Sequence, residues 1–132
     1  MTIISQIKTK LEPCLRRFPH LTAAYVLGSA VDGQMRPDSD IDIAVLIDAG
    51  ADISLTERIR ISSELEQCIN RPIDLGVLTT HNLIYAREAI MTGVCIFCRN
   101  NFQRDLFAAT VLGLYLQLRE ERKEIENAYR TR

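Results

Sequence analysis

No apolar run in this sequence approaches the roughly 20 residues needed to cross a bilayer, and its N-terminus has no cationic segment leading into a continuous apolar core. Neither a membrane span nor an export signal is therefore expected, and the protein is expected to be cytoplasmic. An excess of one charge is also missing. Sixteen basic residues stand against seventeen acidic ones, which leaves no basic patch of the kind that grips an extended nucleic acid, so direct nucleic-acid binding is not expected. Cysteine is scarce: four in a chain without an export signal are expected to be reduced thiols rather than a disulfide framework. Cys95 and Cys98 have the spacing of half a zinc site or a redox pair, but there is no second pair, and His20 and His81 fall in other elements, so the sequence predicts buried thiols. Internal repeats, low-complexity tracts and linkers are absent too. At 132 residues the chain is expected to form one domain, 1–132, with a core over about 20–98 and a C-terminal helix over about 102–129. That is too short for a catalytic domain plus a large substrate domain.

What is present is concentrated between Tyr25 and Ile47. Two apolar runs, Ala24 to Leu27 and Ile41 to Ile47, have the length of strands and enclose a turn-forming segment with Gly28, Ser29, Gly33 and Pro37. Side chains alternate along a strand, so Asp40 and Asp42 project to one side, about 6 to 7 Å apart. Burying a sheet does not call for acids there. Like charges this close repel unless a cation lies between them, and a divalent metal is the simplest neutraliser. Gly28 permits close approach of a ligand to the backbone, and Ser29 adds a hydroxyl and an N–H suited to phosphate. The plainer alternative is that Ser39 and Asp40 cap a turn, Asp42 is a solvated acid, and Gly28 and Ser29 merely end a strand.

Gly28-Ser29, ten residues, then Asp40-Ile41-Asp42 resembles the signature of the DNA-polymerase-beta-like nucleotidyltransferases. Within them it is most similar to the minimal (MNT) members, the antitoxins of HEPN/MNT pairs, over about residues 25–97. The resemblance implies a mixed α/β nucleotidyltransferase fold, with three to five strands, helices packed on the sheet and a long C-terminal helix. It also implies a third carboxylate on a neighbouring strand, where Asp74 falls. Asp40, Asp42 and Asp74 would then be the catalytic, metal-binding residues, with Gly28 and Ser29 on the nucleotide, Mg2+ as cofactor and ATP as substrate. Asp74 would act as general base. Many relatives have a basic residue where this chain has Asp32. Arg36 is a candidate substitute, although an arginine in an exposed loop is ordinarily solvated; Asp32 and Asp38 read as turn formers.

The remaining elements follow from periodicity. Residues 2–18 repeat apolar side chains at helical spacing, with a kink or restart expected at Pro13. Ile41, Ile43, Val45 and Ile47 on one face, and Ala44 and Leu46 on the other, mark a central strand. Ser54 and Glu57 form a possible capping box for a helix whose stripe is Leu55, Ile59, Ser62, Leu65 and Ile69. Ile73 to Leu78 reads as a strand parallel to the second. Thr79 or Thr80 is expected to cap a helix running through Met91 and closed by Gly93, ahead of an edge strand, Val94 to Phe97. The last helix carries more apolar side chains, from Leu106 to Leu118, than one docking stripe needs, so it is either enclosed or covered by a partner. Its charged run, Arg119 to Glu126, reads as a solvated face.

The resemblance implies transfer of AMP to a hydroxyl, a tyrosine of a cognate HEPN ribonuclease toxin, which silences it. Two alternatives remain. One is a non-catalytic antitoxin that neutralises by binding. The other is an aminoglycoside-type small-molecule transferase, disfavoured because no helical domain follows to hold the drug.

Overall fold

The structure, a computed structural model, describes residues 2–130. Helix α1 (Ile3–Arg16) leads into β1 (Leu21–Leu27), a one-turn helix α2 (Ser29–Asp32) and β2 (Ile41–Ile47). Then come α3 (Leu55–Ile69), β3 (Ile73–Val77), α4 (Leu83–Thr92), β4 (Val94–Cys98) and the long α5 (Asn101–Arg130). The four strands form one mixed sheet in the order β3-β2-β1-β4, with β2 parallel to β3 and β1 antiparallel to both β2 and β4. This is the expected mixed α/β layout, with helices packed on the sheet and a long C-terminal helix.

Strand alternation sorts the core into two layers. Val26 of β1 and Ile41, Ile43 and Val45 of β2 face α1 and α3, where Ile7, Leu11, Leu15, Ile61 and Leu65 close the first core. Tyr25, Leu27, Ala44 and Leu46 face the other way, onto Ala86 and Ala89 of α4 and Val111 of α5. Both faces of β1 and β2 are thus covered, which is why these two strands are apolar on both sides.

Several elements differ from the sequence reading. Helix α1 runs through Pro13 without a break. Pro13 and Thr9, whose carbonyl loses its helical donor, both lie on the exposed face, where water can satisfy that carbonyl, while Leu11, Cys14 and Leu15 stay buried on either side. Strand β1 starts at Leu21, three residues early, because Leu21 and Ala23 pair with Ile47 and Leu46. There the hydroxyl of buried Thr22 donates to Asp48. On α3 the Ser54 cap forms as expected, its Oγ accepting from Glu57 N at 3.1 Å. The buried stripe is rotated, however: Ile61, Leu65 and Ile69 dock, and Leu55 and Ile59 face solvent. Helix α4 starts at Leu83, because Thr79 Oγ1 accepts from Asn82 N in a turn that precedes the helix. Gly93 ends it as expected.

The pair Cys95 and Cys98 is half-buried rather than buried. The β1–β4 register slips between Ala24 and Tyr25, and this bulge turns Ile96 and Phe97 together into the first core and leaves both cysteines at the margin of the second. Arg99, just past β4, donates to the carbonyls of Arg16, Phe18 and Pro19 and lies 5.4 Å from the centre of the Phe97 ring. It ties the end of α1 to the sheet.

Candidate active site

Strand β1 ends in a backbone that only glycine adopts comfortably: Gly28 has φ 70° and ψ −140°. A Cβ at this position would overlap the Asp42 carboxylate oxygen, so the glycine is needed both for the turn and to admit that carboxylate. Leu27 and Asp42 are register partners on the antiparallel pair, which brings the bend and the acid together. Ser29 opens α2, where the Gly28 carbonyl accepts from Val31 N at 3.0 Å and Asp32 N at 3.2 Å. Gly33, at φ 75°, closes the turn.

The loop from there to β2 is pinned by Arg71. One of its guanidinium nitrogens donates to the carbonyls of Arg36 at 2.6 Å and Ser39 at 2.9 Å, while another lies 3.6 Å from Met35 Sδ. Ile41 N then donates to Pro72 O at 2.9 Å, which fixes where β2 begins. Arg36, the cation expected as a possible substitute for a basic residue at position 32, is exposed and outside the cleft.

Parallel pairing places Asp42 directly beside Asp74. Neighbouring strands are about 4.8 Å apart and register partners share a face, so both acids point to the α4 side. Burial pushes the Asp42 pKa up, the charge of Asp74 pushes it further, the charge of Asp40 adds to this, and a hydrogen bond with Asp74 favours the protonated form. Asp42 is half-buried, whereas Asp40 and Asp74 are exposed.

Gly28, Asp42 and Asp74 lie on the wall of a cleft of about 570 Å³. Asp40 and Ser29 flank it without lining it. Asp40 precedes the first hydrogen-bonded residue of β2, so the strand does not hold it on the cleft wall. Asp42 and Asp74 thus share the cleft wall, and Asp40 at the head of β2 is near enough for its charge to act on Asp42. Among the described residues no cluster of three acidic, histidine or cysteine side chains is drawn together tightly enough to hold a metal. The Asp42–Asp74 pair, with oxygen donors only and an ionised form penalised by a like charge, nonetheless suits a hard divalent cation, whose charge would relieve that repulsion.

Sequence reasoning missed four further residues that line the cleft, Arg58, Asn82, Tyr85 and Glu88. Tyr85 reaches down from α4 so that its hydroxyl occupies the space a Cβ on Gly76 would fill. Burial raises the Tyr85 pKa, as do the charges of Asp74 and Asp42, with Arg58 opposing them. Gly76 inside an apolar strand was the available signal, since such glycines mark close approach of another group. Arg58 left none: on an amphipathic helix it reads as a solvated position, and only folding brings it to β3, where it donates to Leu75 O at 3.0 Å.

Comparison with known proteins identifies the family. The family model described as polymerase beta nucleotidyltransferase matches residues 9–102. Protein adenylyltransferase MntA of Shewanella oneidensis is 27% identical over 107 residues, covering 81% of this chain and 75% of the relative. A toxin–antitoxin crystal structure with AMP-PNP superimposes with TM-score 0.75 at 25% identity, over 92% of this chain and 96% of the other. The MNT antitoxin structure in complex with tri-AMPylated Shewanella oneidensis HEPN toxin gives TM-score 0.71 at 23% identity, over 95% and 97%; this second likeness is one of fold. With a strand-end glycine bend facing paired carboxylates, and a family match over most of its length, the chain belongs to the polymerase beta nucleotidyltransferase family.

Proposed function

We propose that the protein is a magnesium-dependent adenylyltransferase and antitoxin, which moves AMP from ATP to a tyrosine hydroxyl of a cognate HEPN-domain ribonuclease toxin and releases pyrophosphate. The observation that carries this reading is the placement of Asp42 and Asp74 side by side against the Gly28 bend. Asp40, Asp42 and Asp74 would hold the magnesium, which when bound supplies the positive charge that neutralises the phosphoryl oxygens. Gly28 and Ser29 bind the triphosphate tail through backbone N–H groups and the serine hydroxyl. Asp74, exposed at the cleft surface, takes the proton from the acceptor hydroxyl as that oxygen attacks the α-phosphorus. The bond from the α-phosphorus to the bridging oxygen breaks, and pyrophosphate leaves. AMP transfer and the toxin partner are supported by the relative named protein adenylyltransferase and by the matched toxin–antitoxin structure with AMP-PNP. Among the described residues no helix is long and apolar enough to cross a membrane.

Incubation with labelled ATP, magnesium and the HEPN partner tests the reading. Label is expected on the partner with the wild-type protein and not with Asp42→Ala; an unlabelled partner, or undiminished label with the variant, refutes it. A second reading, neutralisation by binding alone, is favoured by the apolar surface left open on α5, where Phe102, Leu106 and Leu116 are 74%, 55% and 59% exposed. Cells protected in full by an Asp40→Ala/Asp42→Ala protein would establish that second reading in place of the first.

A further inference from the structure

The charge inventory of the cleft poses a problem for a nucleotide. Its lining carries three carboxylates, Asp42, Asp74 and Glu88, and a single cationic side chain, Arg58. A triphosphate brings more negative charge, and a divalent ion on the aspartates is offset first by the aspartates themselves. Arg58 would be expected to collapse onto one of these acids. It does not: none of the four ion pairs among the described residues includes it. Instead one guanidinium nitrogen donates to the Leu75 carbonyl on the free edge of β3.

That bond holds the head group in place and uses only part of its donor capacity. Arg58 belongs to α3, whose buried side chains pack on the opposite face of the sheet, so its stem reaches round the β3 edge to the cleft. There the charge of Arg58 acts on the Tyr85 phenol, which also feels Asp74 and Asp42. A planar guanidinium held by backbone and not neutralised by a carboxylate is preorganised for the oxygens of a phosphoryl group, which it can bind in two-pronged fashion.

We propose that Arg58 is a phosphate-binding residue of the cleft, holding a phosphoryl group of the nucleotide's triphosphate tail from the edge of β3. This rests on the reading that the cleft takes ATP. It adds a contact that the glycine-serine and aspartate signature does not contain, and it makes α3, otherwise a packing helix, part of the binding machinery.

The test uses the full-length protein with magnesium and a fluorescent ATP analogue, displaced in turn by ATP, pyrophosphate and adenosine. Arg58→Ala is expected to weaken ATP and pyrophosphate by about tenfold or more, the scale of a hydrogen bond to a charged group, and to leave adenosine unchanged. Because Arg58→Ala also removes the side-chain stem, Arg58→Gln serves as the second variant. It keeps most of the stem that reaches round the β3 edge but has no charge and is two atoms shorter, so it should lose phosphate affinity like the alanine variant while adenosine binds as in the wild type. Wild-type affinity for pyrophosphate in Arg58→Gln, or an equal loss for adenosine, overturns the proposal. A wild-type protein that binds pyrophosphate through Arg58 yet labels no partner upholds it while refuting the proposed acceptor. Absence of any displacement by ATP or pyrophosphate overturns both.

Discussion

At the scale of single residues, the site depends on what Gly28 lacks. Its positive φ and the carboxylate beside it leave no room for a methyl group. Gly28→Ala should therefore destabilise the fold by about 1–3 kcal/mol, through strain and the displaced Asp42. It should also abolish most transfer; urea unfolding and a transfer assay read the two effects separately. Asp42 makes the opposite trade. Its folded-state pKa is raised, chiefly by burial and then by Asp74, so its ionised form costs stability above that pKa, and the cost fades as pH falls through it. Asp42→Asn, measured without metal, should accordingly melt higher than the wild type at neutral pH, with the difference vanishing in acid, while transfer is lost at every pH. An unchanged melting difference across that range would contradict the assignment. Gly28, Asp40 and Asp42 were legible because they are close in sequence and their types are wrong for a plain strand. Tyr85 and Arg58 were not, because each becomes part of the site only through a neighbour, Gly76 and Leu75 respectively, that the fold supplies.

At the scale of elements, the segment that carries Asp40 has little regular structure of its own and relies on Arg71, from the turn between α3 and β3. Two carbonyls of the loop are bound to one guanidinium nitrogen. Arg71→Ala should leave β2 paired but loosen Asp40, raising the magnesium concentration for half-maximal transfer by about tenfold, in keeping with the loss of charged hydrogen bonds; a magnesium titration of the transfer rate checks this. The Ser54 cap of α3 is a local device of ordinary size, and Ser54→Ala should cost about 1 kcal/mol in urea unfolding with little effect on nucleotide affinity. Caps such as Ser54 and stops such as Gly93 were readable because they satisfy nearby backbone groups. The rotated stripe of α3 was not. Leu55 and Ile59 match the helical period as well as Ile61 and Leu65 do, and only the position of the sheet selects which pair is buried.

At the scale of the molecule, α5 extends well beyond what its own sheet needs: over its 30 residues Val111 alone is fully buried. Phe102, Leu106 and Leu116 stand open to solvent, and an apolar face of this kind is a natural seat for the proposed HEPN partner. A Leu106→Glu/Leu116→Glu protein should keep its melting temperature within a few degrees and lose co-purification with that partner; retained co-purification would place the interface elsewhere. The sequence by itself determined the order of helices and strands, the two central strands and the glycine-to-aspartate spacing, because each follows from periodicity or from residues near one another in the chain. Only the tertiary structure decided that Asp74 stands beside Asp42 with Asp40 at the margin of the cleft, and that Arg58 and Tyr85 line it as well. Those placements depend on strand register and on helices crossing the sheet edge, and both are set by packing between segments distant in sequence.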